Sequence, residues 1–253
     1  MFAMFLPIDA NAAGENTNAP FLSTLRHDFR HFYSDSRLRR MGVVFGGAAI
    51  FAHSALDEDI QEWYQQDVRT SATNWWAKRA KILGEGKYLL PLSLIAASSG
   101  LLFSEESKAS MISKWGERTA RAYLVGGLAA AAAQRLTGAS RPGETKYGSS
   151  WKPFNDDNGV SGHAFIGAVP FLTVAKMCED KKVIKSICYL LSSVTAWSRI
   201  NDNAHYTSQA ALGWYLAWEA TDAVHPQGEK EQSVTFVPIF EKDGLGLCFS
   251  IQW

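Results

Sequence analysis

The chain has 253 residues, 47% of them hydrophobic and 20% charged, enough apolar material for the core of one domain with appendages. Its 25 basic and 25 acidic side chains cancel, so no global field draws it to nucleic acid and any anion site has to be local. Cys178, Cys188 and Cys248 are odd in number, scattered and without metal-ligand spacing, and they read as small buried hydrophobes rather than a disulfide framework.

At the N-terminus, MFAMFLPIDANAAGE is apolar as far as Ala10-Asn11-Ala12, the small-x-small pattern that precedes a signal-peptidase cut. No basic start precedes it, so residues 1–13 read as the remnant of a signal peptide, with a frayed apolar terminus as the plain alternative. Residues 19–40, APFLSTLRHDFRHFYSDSRLRR, place apolar groups at helical spacing among many charges and predict an amphipathic surface or interfacial helix. Within it, His27 and His31 stand four apart with an acid after the first, superficially like a zinc-protease helix. The acid is Asp28, Arg26 and Arg30 flank it, and no third ligand is evident, so a wet helix face is the better reading.

Apolar helical runs follow at Met41 to Leu56, Tyr88 to Phe103, Ala120 to Ala133, Ala164 to Met177, Val183 to Trp197 and Ala210 to Ala223. A bilayer span needs ~20 mostly apolar residues. These runs are shorter and carry His53, Ser98, Ser99, Lys176 and Glu219, so they resemble the helices of a bundle more than clean spans, although bundled spans also tolerate facing polar groups. Trp75-Trp76 and Trp214 to Trp218 mark either a membrane interface or the filling of a helical core. After Pro226 the period changes to two: Ser233 to Phe240, then Glu241-Lys242-Asp243-Gly244, then Leu245 to Trp253 predict a β-hairpin with an Asp-Gly turn. The expected fold is therefore all-α, a bundle of about six core helices over residues 14–228, with the N-terminal amphipathic helix and a C-terminal hairpin at 229–253.

Three polar islands interrupt the helical runs: QRLTGASRPGE, FNDDNGVSGHAF and SRINDNAHYTSQ. Together they supply the parts of a phosphate-transfer site. Arg141 and Arg199 can each fork two N–H bonds onto phosphate oxygens. The backbone around Ser161, Gly162 and His163 begins the next helix, adding N–H donors and the positive end of its dipole. A neutral imidazole can then attack phosphorus, and a second can protonate the leaving oxygen.

In order and spacing these islands resemble the three motifs of the type 2 phosphatidic-acid phosphatase superfamily, which includes bacterial acid phosphatases and vanadium haloperoxidases. The family pattern is Lys, six residues, Arg-Pro; then Pro-Ser-Gly-His; then Ser-Arg, five residues, His, three residues, Asp. Here it is met by Arg141-Pro142, by Ser161-Gly162-His163, and by Ser198-Arg199 with His205, over about residues 120 to 225. The resemblance implies a helical bundle, His205 as the nucleophile that becomes phosphorylated, His163 as the acid for the leaving group, and Arg141, Arg199, Ser161 and Gly162 as the phosphate cradle.

Gln134 stands in the lysine position, Val160 in that of the proline, and Gln209 in that of the last aspartate. The proline fixes a turn and does no chemistry. Gln134 removes a positive charge from the cradle, and with it the lysine a haloperoxidase needs. Four residues beyond His205 on a helix, Gln209 shares its face, and its amide oxygen can accept from the imidazole and fix the tautomer without stabilising an imidazolium as a carboxylate would. Asp202 is the local carboxylate that can replace it, Asp156 and Asp157 the distant ones. The expected function is thus a metal-independent phosphatase with no cofactor, acting on a phosphorylated small molecule or a lipid phosphate or pyrophosphate, in the periplasm or at a membrane surface facing it. The alternatives are a soluble periplasmic acid phosphatase and an impaired member that binds phosphate without turnover.

Overall fold

The computed structural model describes residues 19–101, 108–144, 147–225, 233–241 and 244–252. The proposed signal-peptide remnant at 1–13 lies outside them. Among the described residues the order is α1 (Ala19–Phe32), α2 (Asp35–Ala52), α3 (Leu56–Trp63) running into a π-helical turn (Tyr64–Val68), α4 (Ser71–Ala80) running into a 3₁₀ turn (Lys81–Gly84), and α5 (Gly86–Ser98). Then come α6 (Lys108–Thr137), α7 (Gly162–Met177), α8 (Lys182–Asn201), α9 (Thr207–Val224), β1 (Ser233–Glu241) and β2 (Gly244–Gln252).

The six apolar runs correspond to α2 and to α5 through α9. The amphipathic stretch 19–40 is two helices rather than one. Ser34 takes an extended conformation (φ −67°, ψ 151°) and breaks the chain between α1 and α2, and α2 carries the rest of the stretch into the first apolar run. That run stops at Ala52, short of Leu56, where α3 begins. β1 and β2 pair antiparallel from Ser233↔Gln252 to Glu241↔Gly244. Gly244 therefore closes the ladder, and the connection is 242–243, outside the described residues.

The core is built on α7, which packs against α6, α8 and α9. Its apolar residues surround the helix, so Phe165, Ala168, Val169 and Leu172 are buried on several sides, as expected for a helix hydrophobic all round. Pro170 sits inside α7 and has no N–H to give the carbonyl four residues earlier. That carbonyl, of Ile166, instead accepts the Tyr123 hydroxyl of α6 at 2.8 Å. Burial pushes the Tyr123 phenol far up, so it serves as a fixed neutral donor.

The N-terminal helices are tied to this core by ions. On α2, Arg37 meets Glu219 (2.8 Å) and Asp222 (2.7 Å) of α9, and Arg40 also meets Glu219 (2.9 Å). On α1, buried Asp28 accepts two bonds from Arg121 of α6 at 2.7 and 2.8 Å. Asp28 is thus a structural anchor. Of its neighbours, His31 hydrogen-bonds the Ala223 carbonyl at 2.9 Å, and no group of three or more His, Cys, Asp or Glu side chains that could hold a metal ion occurs among the described residues. Trp214 and Trp218 are half-buried against the core, with the Trp214 indole donating to Ser192 at 2.8 Å, so this pair fills the bundle. Trp75 and Trp76 remain exposed.

Candidate active site

The polar islands meet at one end of α6 to α9. The first begins where α6 stops: Gly138 adopts φ +60°, its N–H bonds the Gln134 carbonyl at 3.0 Å, and a side chain there would strike the Lys152 carbonyl at 1.9 Å. Only glycine suits this C-cap. The returning loop is pinned to it, with the Asn158 N–H on the Ala139 carbonyl at 3.0 Å. The third island turns from α8 into α9 through Asn203, whose φ of +56° is a conformation asparagine tolerates. Within that turn the Ala204 and His205 N–H groups both fold back onto the Arg199 carbonyl, at 2.9 and 3.3 Å. The arginine and the histidine are thus fixed by a single carbonyl.

His205 is 6% exposed. Its Nδ1 lies 3.0 Å from Gln209 Oε1. The orientation of that amide is set by its other contacts: Nε2 donates to the Ser140 carbonyl at 2.8 Å, and Oε1 also accepts the Tyr206 N–H at 3.2 Å. With the oxygen turned to the ring, the Gln209 bond favours the proton on Nδ1 and the lone pair on Nε2. Burial is the main reason His205 is pushed down to about 4, against the opposing pull of the Gln209 bond and of a bond to the Asn158 backbone; Arg199 and Arg141 add to the depression. A neutral ring with a bare Nε2 is the form that can attack phosphorus.

Arg199 is 8% exposed. Its Nη1 donates to Asp202 at 3.0 Å while its Nε has no partner among the described residues. Asp202 is therefore committed to the arginine and is not a carboxylate for His205. Asp156 is engaged by the Asp157 N–H and the Asn158 amide, and Asp157 by Arg135, so the distant candidates are occupied too. Gln209 stands alone in the orienting position. Arg141 is exposed and lies 3.7 Å from Glu144; Arg199 is lowered by burial first, against Asp202, and the charge of Arg141 adds to that drop as it does to that of His205. The charges of Arg199 and Arg141 both act on the neutral imidazole, so an anion bound there relieves their repulsion.

Ser161 is fully buried as the N-cap of α7, its Oγ accepting the Ala164 N–H at 3.3 Å and its own N–H held by the Gln209 carbonyl at 2.9 Å. Gln134 reaches across from α6 to the Val160 carbonyl at 2.9 Å, and a side chain on Gly162 would come within 3.3 Å of that amide. Gln134 thus braces the turn that presents the first N–H groups of α7. His163, on that first turn, is half-exposed, with Nε2 3.6 Å from Glu85 Oε1. Its pKa is lowered by burial first and then by Arg199, with Glu85 opposing and Lys81 reinforcing the drop.

Two functional neighbours were not anticipated. Glu85 lies just before α5, yet the sequence held a signal, since it is the single acid between Asp67 and Glu105. Asp57 of α3, fully buried, accepts the Ser208 N–H at 3.0 Å as well as its hydroxyl, and so locks the first turn of α9 behind His205. Nothing in its surroundings in the sequence marks it.

Residues 120–232 match the family model of the PAP2 superfamily. The matched stretch is similar to the PAP2 superfamily. It holds all three islands, and the resemblance drawn from their spacing is met. A solved structure similar to the chain is that of the first transmembrane PAP2 type phosphatidylglycerolphosphate phosphatase from Bacillus subtilis, 14% identical, with 81% of this chain and 92% of that one covered at a TM-score of 0.44. No curated protein matches the chain. Among the described residues, no helix is long and apolar enough to cross a membrane.

Proposed function

We propose that the chain is a metal-independent phosphatase that transfers the phosphoryl group of a lipid-linked monoester or pyrophosphate to His205 and then to water. The observation that carries this is the pairing of a neutral, oriented imidazole with a buried guanidinium whose Nε has no partner among the described residues. In the first step Nε2 of His205 forms a bond to phosphorus as the bond to the leaving oxygen breaks, and that oxygen takes the proton of the His163 imidazolium. Arg199, Arg141 and the N–H groups of Gly162 and His163 hold the equatorial oxygens. In the second step neutral His163 takes a proton from water as that water attacks phosphorus, and the P–N bond breaks to release phosphate.

A lipid-linked substrate is favoured by large apolar side chains left in the open on α5, α6 and α8, among them Leu94, Ile95, Leu128 and Leu190. The same surface supports a place at a membrane, and we assign the site to its periplasmic side. A second reading, phosphate binding without turnover, is favoured by the uncharged Gln209 at His205. Phosphate release from phosphatidate, a lipid pyrophosphate and a soluble aryl phosphate, with and without chelator and beside His205→Ala, tests the proposal. Release by the parent that survives chelation and is lost in the variant is the expected result. Equal release by the variant, or none by the parent on any substrate, overturns it.

A further inference from the structure

Between Asp67 and Glu105 the chain carries Arg69, Lys78, Arg79, Lys81 and Lys87 against the one acid Glu85, and Glu85 faces His163. Glu85 also lies 3.9 Å from Lys87, so the segment keeps a net positive charge carried by Arg69, Lys78, Arg79 and Lys81. It is also apolar. α4 buries Ala77 and Ala80 against α8, where the Thr195 hydroxyl bonds the Ala80 carbonyl, and this turns Trp75 (49% exposed) and Trp76 (61% exposed) outward. The following 3₁₀ turn adds Ile82 and Leu83, also exposed. Arg79 lies over the Trp75 ring at 3.2 Å and donates to the Trp75 carbonyl, so the aromatic and the cation form one fixed unit.

The segment cannot move independently of the site. A side chain on Gly84 would meet the His163 carbonyl at 2.7 Å and Thr195 at 2.6 Å, so the 3₁₀ turn is pressed against the start of α7. If His163 gives its proton to the leaving oxygen, the part of the substrate attached to that oxygen lies on the side of His163. That is the side on which Glu85 and the 3₁₀ turn that follows α4 lie.

We infer that α4 and the turn after it form a docking face for an anionic lipid surface, seated so that the lipid part of the substrate leaves the site through it. This rests on the phosphatase reading for the direction of the leaving group, and on the surface alone for the lipid. Indoles with an apolar body and an N–H edge suit the headgroup boundary, and cations beside them add attraction to anionic lipid. A second copy of the chain is a poor occupant, because the contact would bring the same net positive charge together.

The test uses the full chain with vesicles of phosphatidylcholine, alone or mixed with phosphatidylglycerol, each with brominated acyl chains that quench nearby indoles. Quenching stronger with phosphatidylglycerol, and weakened by salt, is expected. Trp75→Ala/Trp76→Ala lowers vesicle affinity about tenfold or more, and raises KM for phosphatidate in vesicles while leaving the rate on a soluble aryl phosphate intact. Lys78→Glu/Arg79→Glu, both at exposed positions, lowers affinity for the anionic vesicles about tenfold and leaves that for phosphatidylcholine unchanged. Undiminished vesicle affinity in both variants overturns the inference, as does a shift by the tryptophan variant in a monomer–dimer equilibrium in place of lipid binding. Vesicle binding is read without turnover, so a chain that hydrolyses nothing but docks as described ends the phosphatase reading and leaves the docking face standing.

Discussion

At the scale of single residues the chemistry turns on two side chains next to the histidines. Gln209 sets which nitrogen of His205 is bare, but it offers no charge to an imidazolium. Glu85 offers a charge to His163 from 3.6 Å. The free enzyme should therefore work in a window bounded below by His205, neutral above about 4, and above by His163, whose pKa is held below its ordinary value of 6.5. A bell-shaped kcat/KM on the acid side of neutrality is the expected profile, because that ratio reports free-enzyme groups. Gln209→Asp places a carboxylate against Nδ1, favours the charged ring, and should move the acid limb up by about 1 to 3 units with faster turnover. An unmoved limb would mean that another group orients the ring. Glu85→Gln acts on the other limb. It removes the group that supports the His163 proton, so the alkaline limb should move to lower pH and the rate at neutrality fall, while the acid limb stays put.

At the scale of elements, what was legible followed from periodicity and from spacing within one short segment. The six core helices, the stop at Gly138 and the partners Arg199, His205 and Gln209 all depend on residues within a few positions of one another. What could not be read depends on long-range approach. Glu85 reaches His163 across 78 positions, and Asp57 reaches Ser208 across 151, only because α3 and the turn after α4 pack beside α7 to α9. The break at Ser34 was hidden for a different reason, since the apolar spacing runs on through it unchanged. One such approach is unusually tight. A side chain on Gly213 of α9 would meet the Ser161 carbonyl at 2.3 Å, so α9 and the cradle turn touch backbone to side-chain-free backbone. Gly213→Ala has to push α9 away from α7, which should cost about 1 to 3 kcal/mol. It should also lower kcat by separating His205 from Ser161. Thermal unfolding and single-turnover phosphate release check the two effects separately.

At the scale of the whole molecule, the buried charges that fasten α1 to α6 and α2 to α9, and the buried neutral His205 of the site, make the fold acid-sensitive in two stages. His205 has its pKa lowered from 6.5 to about 4, so the unfolded chain takes up a proton where the folded one does not, and stability falls as pH drops across that interval. Integrated over its width, this one ring contributes about 3 kcal/mol of loss. His163 and His225 are shifted the same way by burial and add to it. Glu219 and Asp222 act later. Burial works against both carboxylates, but Arg40, Tyr215 and Arg37 around Glu219, and Lys176 with Arg37 around Asp222, hold them below the ordinary value. Their stabilisation is complete above that value and is lost as pH falls through the lowered one. Urea unfolding from pH 7 downward should therefore show a first decline between about 6.5 and 4 and a steeper one below. His205→Ala should flatten the first stage and leave the second. Glu219→Ala should cost about 3 to 5 kcal/mol already at pH 7, because Arg37 and Arg40 lose their shared partner, and should weaken the second stage without touching the first. A single decline common to both variants would show that the site and the α2–α9 clamp titrate as one unit.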